Sequence, residues 1–179
     1  MQFTPTTLAG VIEITPRVFE DERGYFFESY TVNLFRENGI AEDFLQDNQS
    51  FSVKGVIRGL HFQREPYAQG KLVRVIRGAV LDVVVDIRPG SPTFGRHESF
   101  LLTEKNRKMV YLPPGFAHGF STLEDAVFSY KCTNVYHKAS EGGIIYNDPE
   151  LAIDWQVNHP VVSEKDLELP AFSAIKATL

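Results

Sequence analysis

The sequence predicts an all-β fold with a few short helices, and three observations predict it. Most segments are short, rich in β-branched and aromatic residues, and separated by turn residues. The run from Lys71 to Arg88, KLVRVIRGAVLDVVVDIR, is the strongest strand signal in the chain. Helix signals are scarce. Many short strands at fairly regular spacing suggest a sandwich, jelly roll or barrel. No repeat, low-complexity tract or linker divides the chain, so residues 1–179 are expected to form one domain, large enough for a real core.

Taken in order, residues 32–38 (VNLFREN) read as a helix, with Thr31 at the N-cap and Gly39 as the stop. Strands are expected at 51–53 and 56–63. The Lys71–Arg88 run divides at Arg77-Gly78 and is ended by the PGSP of 89–92. Further strands are expected at 96–102, 109–112, 118–123 and 126–133, and Pro113-Pro114-Gly115 turns the chain so as to deliver His118 onto a strand. DPEL at 148–151 suggests a single turn. SEKD at 163–166 has capping-box spacing with an acidic last residue, so a short helix should start near Ser163.

Composition excludes several function classes. The net charge is -5 and no Lys/Arg cluster stands out, which argues against nucleic-acid binding but not against an anionic small molecule. No apolar run approaches the roughly 20 residues of a membrane span. The N-terminal MQFTPTT lacks the basic and apolar regions of a signal peptide. Cys132 is the single cysteine, so there is no internal disulfide. These features together lead to a cytoplasmic expectation. The 14 Phe and 7 Tyr supply a β-rich core and leave rings to stack on a planar ligand.

The histidines are the first candidates for chemistry. Alternation in RGLHFQ (58–63) puts His61 on the side of Gly59 and Gln63, away from Leu60 and Phe62, and the missing side chain of Gly59 should leave open space there. His118 lies in YLPPGFAHGF (111–120). A lone strand histidine most often bonds nearby backbone, and spacing does not say whether these two meet. A catalytic metal typically takes three protein ligands. Here Gln63 holds the place of a second histidine, Glu65 directly precedes a proline, and Lys71 would oppose a cation, so no metal is expected. Proton transfer needs a base, an acid across the substrate and a group for the developing charge. His61 suits the first, Tyr130 the second and Lys71 the third, with a carboxylate to orient the histidine. Tyr130 alternates with Phe128 and Cys132, and such a tyrosine in a β protein is usually a core or rim residue; Lys71, taken by itself after Gly70, would usually be a solvated strand-end lysine.

Motifs along nearly the whole chain carry a resemblance. In order they are DERGYFFE (21–28), QDNQS (46–50), VIRGLHFQ (56–63), GKLVRV (70–75), DVVVDIR (82–88), PPGFAHGF (113–120), YKCT (130–133), Tyr136, Glu141-Gly142 and SEKD (163–166). The chain resembles the dTDP-4-dehydrorhamnose 3,5-epimerases, a metal-free branch of the cupin superfamily. The resemblance implies a cupin-type jelly-roll β-barrel, usually a homodimer, acting on dTDP-4-dehydro-6-deoxy-D-glucose without cofactor or metal. It makes His61 the general base, Asp166 its paired carboxylate and Tyr130 the acid that reprotonates the opposite face. Lys71 and His118 match residues near the sugar's C4 oxygen and ring. Arg23, Glu28, Gln46, Asn48, Arg58, Glu141 and Lys165 match positions that bind nucleotide, diphosphate or sugar. Tyr136 matches an aromatic that stacks on thymine, with Phe26 nearby. In the family the N-terminal segment crosses to the other subunit, so Arg23, Phe26 and Glu28 are expected to complete the partner's site. The alternatives are a monoepimerase at C3 or C5 of a related sugar, a metal-dependent cupin such as a dioxygenase, and a non-catalytic sugar-nucleotide binding module.

Overall fold

The computed structural model describes residues 1–178. The N-terminal part forms β1 (Gln2–Pro5), β2 (Ile12–Thr15), the hairpin of β3 (Phe19–Asp21) and β4 (Gly24–Phe26), and helix α1 (Val32–Glu37). The middle of the chain forms β5 (Gln46–Ser52), β6 (Val56–Gln63), β7 (Lys71–Arg77), β8 (Ala79–Asp86), β9 (His97–Thr103), β10 (Met109–Leu112), β11 (Phe116–Thr122) and β12 (Ala126–Cys132). It ends with β13 (Glu141–Gly143), β14 (Val161–Val162), α2 (Glu164–Leu167) and α3 (Phe172–Lys176). The fold is all-β with few helices, as the sequence predicts.

Two sheets make the barrel. One runs β1-β2-β10-β7-β12-β5, the other β13-β6-β11-β8-β9, with β14 joined in parallel to β6. From β5 to β13 the chain changes sheet at every step except β8–β9, which gives the jelly roll its interleaved order. The break at Arg77-Gly78 is such a crossing. Gly78 has φ +80°, and a Cβ there would lie 2.1 Å from the Asp125 carbonyl oxygen, so only glycine fits the corner.

Burial on both faces explains why β8 reads as an almost unbroken apolar run. Val80 and Val84 face the barrel interior with Val73, Val75, Val110, Phe120 and Phe128. Leu81, Val83 and Val85 face outward under a cover made by Ile144, Leu151, Trp155, Phe172 and Ile175. On the other sheet, Phe35 of α1 and Ile40 cover Ile14, Leu72 and Met109. The barrel therefore has two outer aprons, one from each end of the chain.

The differences from expectation have local causes. β5 begins at Gln46 rather than Phe51, because its inward residues Gln46, Asn48 and Ser50 are polar and give no hydrophobic alternation. Thr31 is the N-cap of α1, but its side chain makes no capping bond. Ser163 does cap α2, its Oγ accepting from the Asp166 N–H at 3.2 Å. The turn at 148–151 is held by Asp148, whose Oδ1 accepts from the N–H groups of Glu150 and Leu151.

Asp86, at the end of β8, organises the 88–93 loop. Its carboxylate accepts from the Arg88 N–H (3.0 Å), Nε (2.9 Å) and Nη2 (2.7 Å), and from Ser91 Oγ and Thr93 Oγ1 (2.6 Å each). Burial pushes its pKa up, but the Arg88, Ser91 and Thr93 bonds outweigh this and hold it well below the usual carboxylate range. Asp86→Ala leaves these donors unpaired and should cost about 3–5 kcal/mol. Because the folded-state pKa is depressed, Asp86's contribution is present above its unfolded pKa of about 4 and is lost as pH falls. Urea midpoints of parent and variant should lie a constant distance apart above about pH 5 and draw together progressively as the pH falls below about 4.

Candidate active site

The site begins with an irregularity in β6. His118 of β11 pairs with His61, but two residues on, Phe120 pairs with Arg58, so β6 carries one extra residue at the Gly59–Leu60 step. Alternation holds from Leu60 to Gln63, with Leu60 and Phe62 in the outer core, and fails at Gly59. The bulge brings Arg58, three residues away, onto the face of His61, and both line a cavity of about 290 Å³. Gly59 has φ +124°, and a Cβ there would lie 2.6 Å from the Gly119 Cα and 2.8 Å from the His118 oxygen. The open space expected beside Gly59 is therefore filled by the β11 backbone. What Gly59 provides is close approach and a redirected N–H.

That N–H donates to Asp166 Oδ2 at 3.2 Å, while Asp166 Oδ1 lies 2.7 Å from His61 Nε2. The cap of α2 fixes the Asp166 backbone through Ser163. Burial pushes the Asp166 pKa up. The bonds from His61 and Gly59 and the charges of His61 and Lys165 more than offset it and hold the carboxyl below its ordinary value. A buried, ionised carboxylate thus orients a histidine that remains partly exposed to the cavity.

The second histidine is built in parallel. His118 Nε2 lies 2.7 Å from Asp82 Oδ1, with both residues buried. Desolvation lowers the His118 pKa, and Asp82 only partly compensates. The two histidines, whose meeting the sequence left open, are direct cross-strand neighbours.

The facing sheet supplies Lys71, Tyr130 and Phe128 to the same cavity. Tyr130 stands opposite Asn48 and Val73, and Cys132 opposite Gln46 and Lys71. Burial, then the neighbouring Cys132, pushes the Tyr130 pKa up against the opposing pull of Arg58, so its hydroxyl keeps its proton at neutral pH. Desolvation pushes the Lys71 pKa down, while Cys132, Asp82 and Glu141 act to raise it. Among the described residues, no three His, Cys, Asp or Glu side chains converge on one point.

A second cavity of about 300 Å³ shares His61, Lys71 and Tyr130 and continues to Gln46, Asn48, Tyr136 and Glu141. Gln46 Nε2 donates to Asn48 Oδ1 (3.0 Å), and Gln46 Oε1 accepts from the Tyr136 N–H (2.8 Å). The Tyr136 hydroxyl donates to Glu141 Oε2 (3.0 Å), and Lys165 Nζ donates to Glu141 Oε1 (2.6 Å). Arg58 is held by Ser52 Oγ at 3.0 Å.

Three expected residues are elsewhere. Arg23 pairs with Asp21 in the exposed β3–β4 hairpin, Phe26 is 65% exposed beside it, and Glu28 is also exposed. None of the three lines either cavity of their own chain. Conversely, the sequence reading gave no site role to Asp82, Ser50 or Gln63, although Ser50 lines the first cavity and Gln63 the second. Asp82 carried a usable signal, a charge in the middle of the apolar AVLDVVV. Ser50 carried none.

A family model described as dTDP-4-dehydrorhamnose 3,5-epimerase matches residues 5–174. The chain belongs to the dTDP-4-dehydrorhamnose 3,5-epimerase family. A relative of that name from Methanothermobacter thermautotrophicus is 50% identical over 92% of this chain and 91% of its own. The crystal structure of a dTDP-6-deoxy-D-glucose-3,5-epimerase from Legionella pneumophila, in complex with dTDP-4-keto-L-rhamnose, is 45% identical with TM-score 0.95, covering 99% of this chain and 95% of that one. A 3'-monoepimerase from Streptomyces bikiniensis in complex with dTDP-quinovose has TM-score 0.92 at 34% identity, covering 97% and 89%. The jelly-roll barrel is thus shared between a 3,5-epimerase and a monoepimerase, while this epimerase family member is more identical to the former.

Gly59→Ala in this epimerase should cost about 2–3 kcal/mol or more, because the added methyl meets backbone rather than a movable side chain. Thermal unfolding would show the loss. An unchanged Tm would mean that β6 and β11 can separate without penalty.

Proposed function

We propose that the protein inverts C3 and C5 of dTDP-4-dehydro-6-deoxy-D-glucose to give dTDP-4-dehydro-L-rhamnose, in dTDP-L-rhamnose biosynthesis, acting as a single domain. The observation that carries the assignment of roles is the placement of His61, held by Asp166 of α2, on one sheet and of Tyr130 on the facing sheet, with one cavity between them. Inversion requires a proton to leave one face of the sugar and return to the other, and two opposed walls offer that arrangement.

Both the C3 and C5 protons are acidified by the C4 ketone between them, so one base serves both centres through an enolate. His61 takes the proton, and the Asp166 carboxylate orients the ring and stabilises the imidazolium. Charge then grows on the C4 oxygen. Lys71, in a partly dry barrel, stabilises that charge more than it stabilises the ketone, with His118 beside it. Tyr130 returns a proton from the far side. The route needs neither metal nor redox cofactor.

Arg58 and Lys165 suit the diphosphate, Arg through paired bonds and Lys as a point charge. Tyr136 offers its ring to thymine, with Gln46, Asn48 and Glu141 around the nucleotide. The exposed Phe19, Tyr25 and Phe26 of the β3–β4 hairpin support a homodimer in which this segment is exchanged, so that Arg23, Phe26 and Glu28 reach the partner's cavity. No helix among the described residues is long and apolar enough to cross a membrane, in keeping with action on a nucleotide sugar in the cytoplasm.

In deuterated water the enzyme should place label at both C3 and C5. Label at one carbon alone would favour the monoepimerase reading. His61→Ala should lower turnover by about 10²–10⁴ while leaving dTDP affinity nearly unchanged, and Tyr130→Phe should impair product formation more than initial exchange. The exchanged hairpin has its own check. Arg23→Ala and His61→Ala subunits, each weakly active alone, should regain activity when mixed, because each mixed dimer holds one intact site. No recovery in verified mixed dimers would place Arg23 with its own subunit's His61.

A further inference from the structure

Gln63 stands where a metal-binding barrel would want a second histidine, and its side chain is engaged elsewhere. It is 8% exposed at the end of β6. Its Oε1 accepts from the His137 N–H at 2.8 Å, and its Nε2 donates to the Val135 carbonyl at 3.1 Å and to the Tyr67 carbonyl at 2.6 Å. Val135 and His137 flank Tyr136. One amide group therefore pairs with the main chain on both sides of that residue, much as a neighbouring strand would. The amide orientation is set by its partners, since a flipped group would turn its oxygen toward two carbonyls.

Other contacts converge on the same junction. The Tyr136 N–H itself is taken by Gln46 Oε1 at 2.8 Å. The Tyr67 and His137 rings stack with centroids 3.8 Å apart, joining the two loops that Gln63 links. Through its main chain, Gln63 pairs with Glu141, the acceptor of the Tyr136 hydroxyl. Tyr136 itself lies on the loop between β12 and β13 and is 53% exposed.

We infer that Gln63 is a positioning residue for nucleotide recognition: its buried amide locks the 135–137 segment so that the Tyr136 ring is preset to receive the base of the dTDP group. This rests on the reading of Tyr136 as the base platform. A preset ring loses less freedom on binding than a mobile one, so the lock acts on affinity rather than on the proton transfers around His61.

The test is a mutant cycle. Gln63→Met matches length without the amide, and should raise KM and the dTDP dissociation constant on the order of tenfold while kcat stays within about twofold. In Gln63→Met/Tyr136→Ala, dTDP affinity should equal that of Tyr136→Ala alone, because Gln63 acts through the ring. Additive losses in the double variant, or a fall in kcat at constant KM, would overturn the inference. A normal dTDP affinity in Tyr136→Ala would instead overturn the base-platform reading, and the inference with it. Should Gln63→Met fail to fold, hydrogen exchange on the unaltered protein decides: the Tyr136 and His137 amides should be protected without ligand, and exchange at the rate of a free loop would sink the idea.

Discussion

The close approach of β6 and β11 at Gly59 and Gly119 is the constraint on which the site depends. Neither position has room for a Cβ: one at Gly119 would lie 2.8 Å from the Arg58 oxygen, mirroring the collision at Gly59. Because the strands touch there, β6 takes up an extra residue, and one local defect does three things. It puts Arg58 on the wall of His61, aims a main-chain N–H at Asp166, and leaves His61 level with His118. A regular strand would have turned Arg58 away from the cavity.

The facing wall works by graded polarity. From Gln46, Cys132 and Lys71 at one end, the inward residues pass through Asn48 and Tyr130 to Ser50, Phe128 and Val75. Polar chemistry therefore rests directly on apolar packing, which removes water from Lys71 and Tyr130 and shifts both pKa values. The ammonium becomes easier to deprotonate and the phenol harder, as a single cause predicts for groups of opposite charge type. The low dielectric strengthens each electrostatic interaction made within the cavity.

Much of the fold was legible in the sequence. β6 and β10 fall on the expected residues, the crossing at Gly78 was marked by its glycine, and Ser163 caps the helix that its spacing announced. Alternation correctly put Tyr130 with Phe128 and Cys132. At the site, what escaped was chiefly residues whose roles come from register between distant segments. The bulge at Gly59 is a property of two strands, so reading β6 alone put open space where backbone lies. β5 was shortened because a strand lining a polar cavity shows no apolar rhythm. Family resemblance supplied the pairing of His61 with Asp166, since no local pattern joins them.

That pairing has a consequence in time. The hydrogen bond between His61 and Asp166 spans 105 residues of chain, and β7 lies between β10 and β12, both made after it. On the ribosome the histidine emerges early and waits. The barrel cannot close until β12 has been synthesised, and the carboxylate arrives only with the segment that packs over the outer face of the second sheet. The segment that carries Asp166 thus both seals the outer core and completes the His61–Asp166 pair.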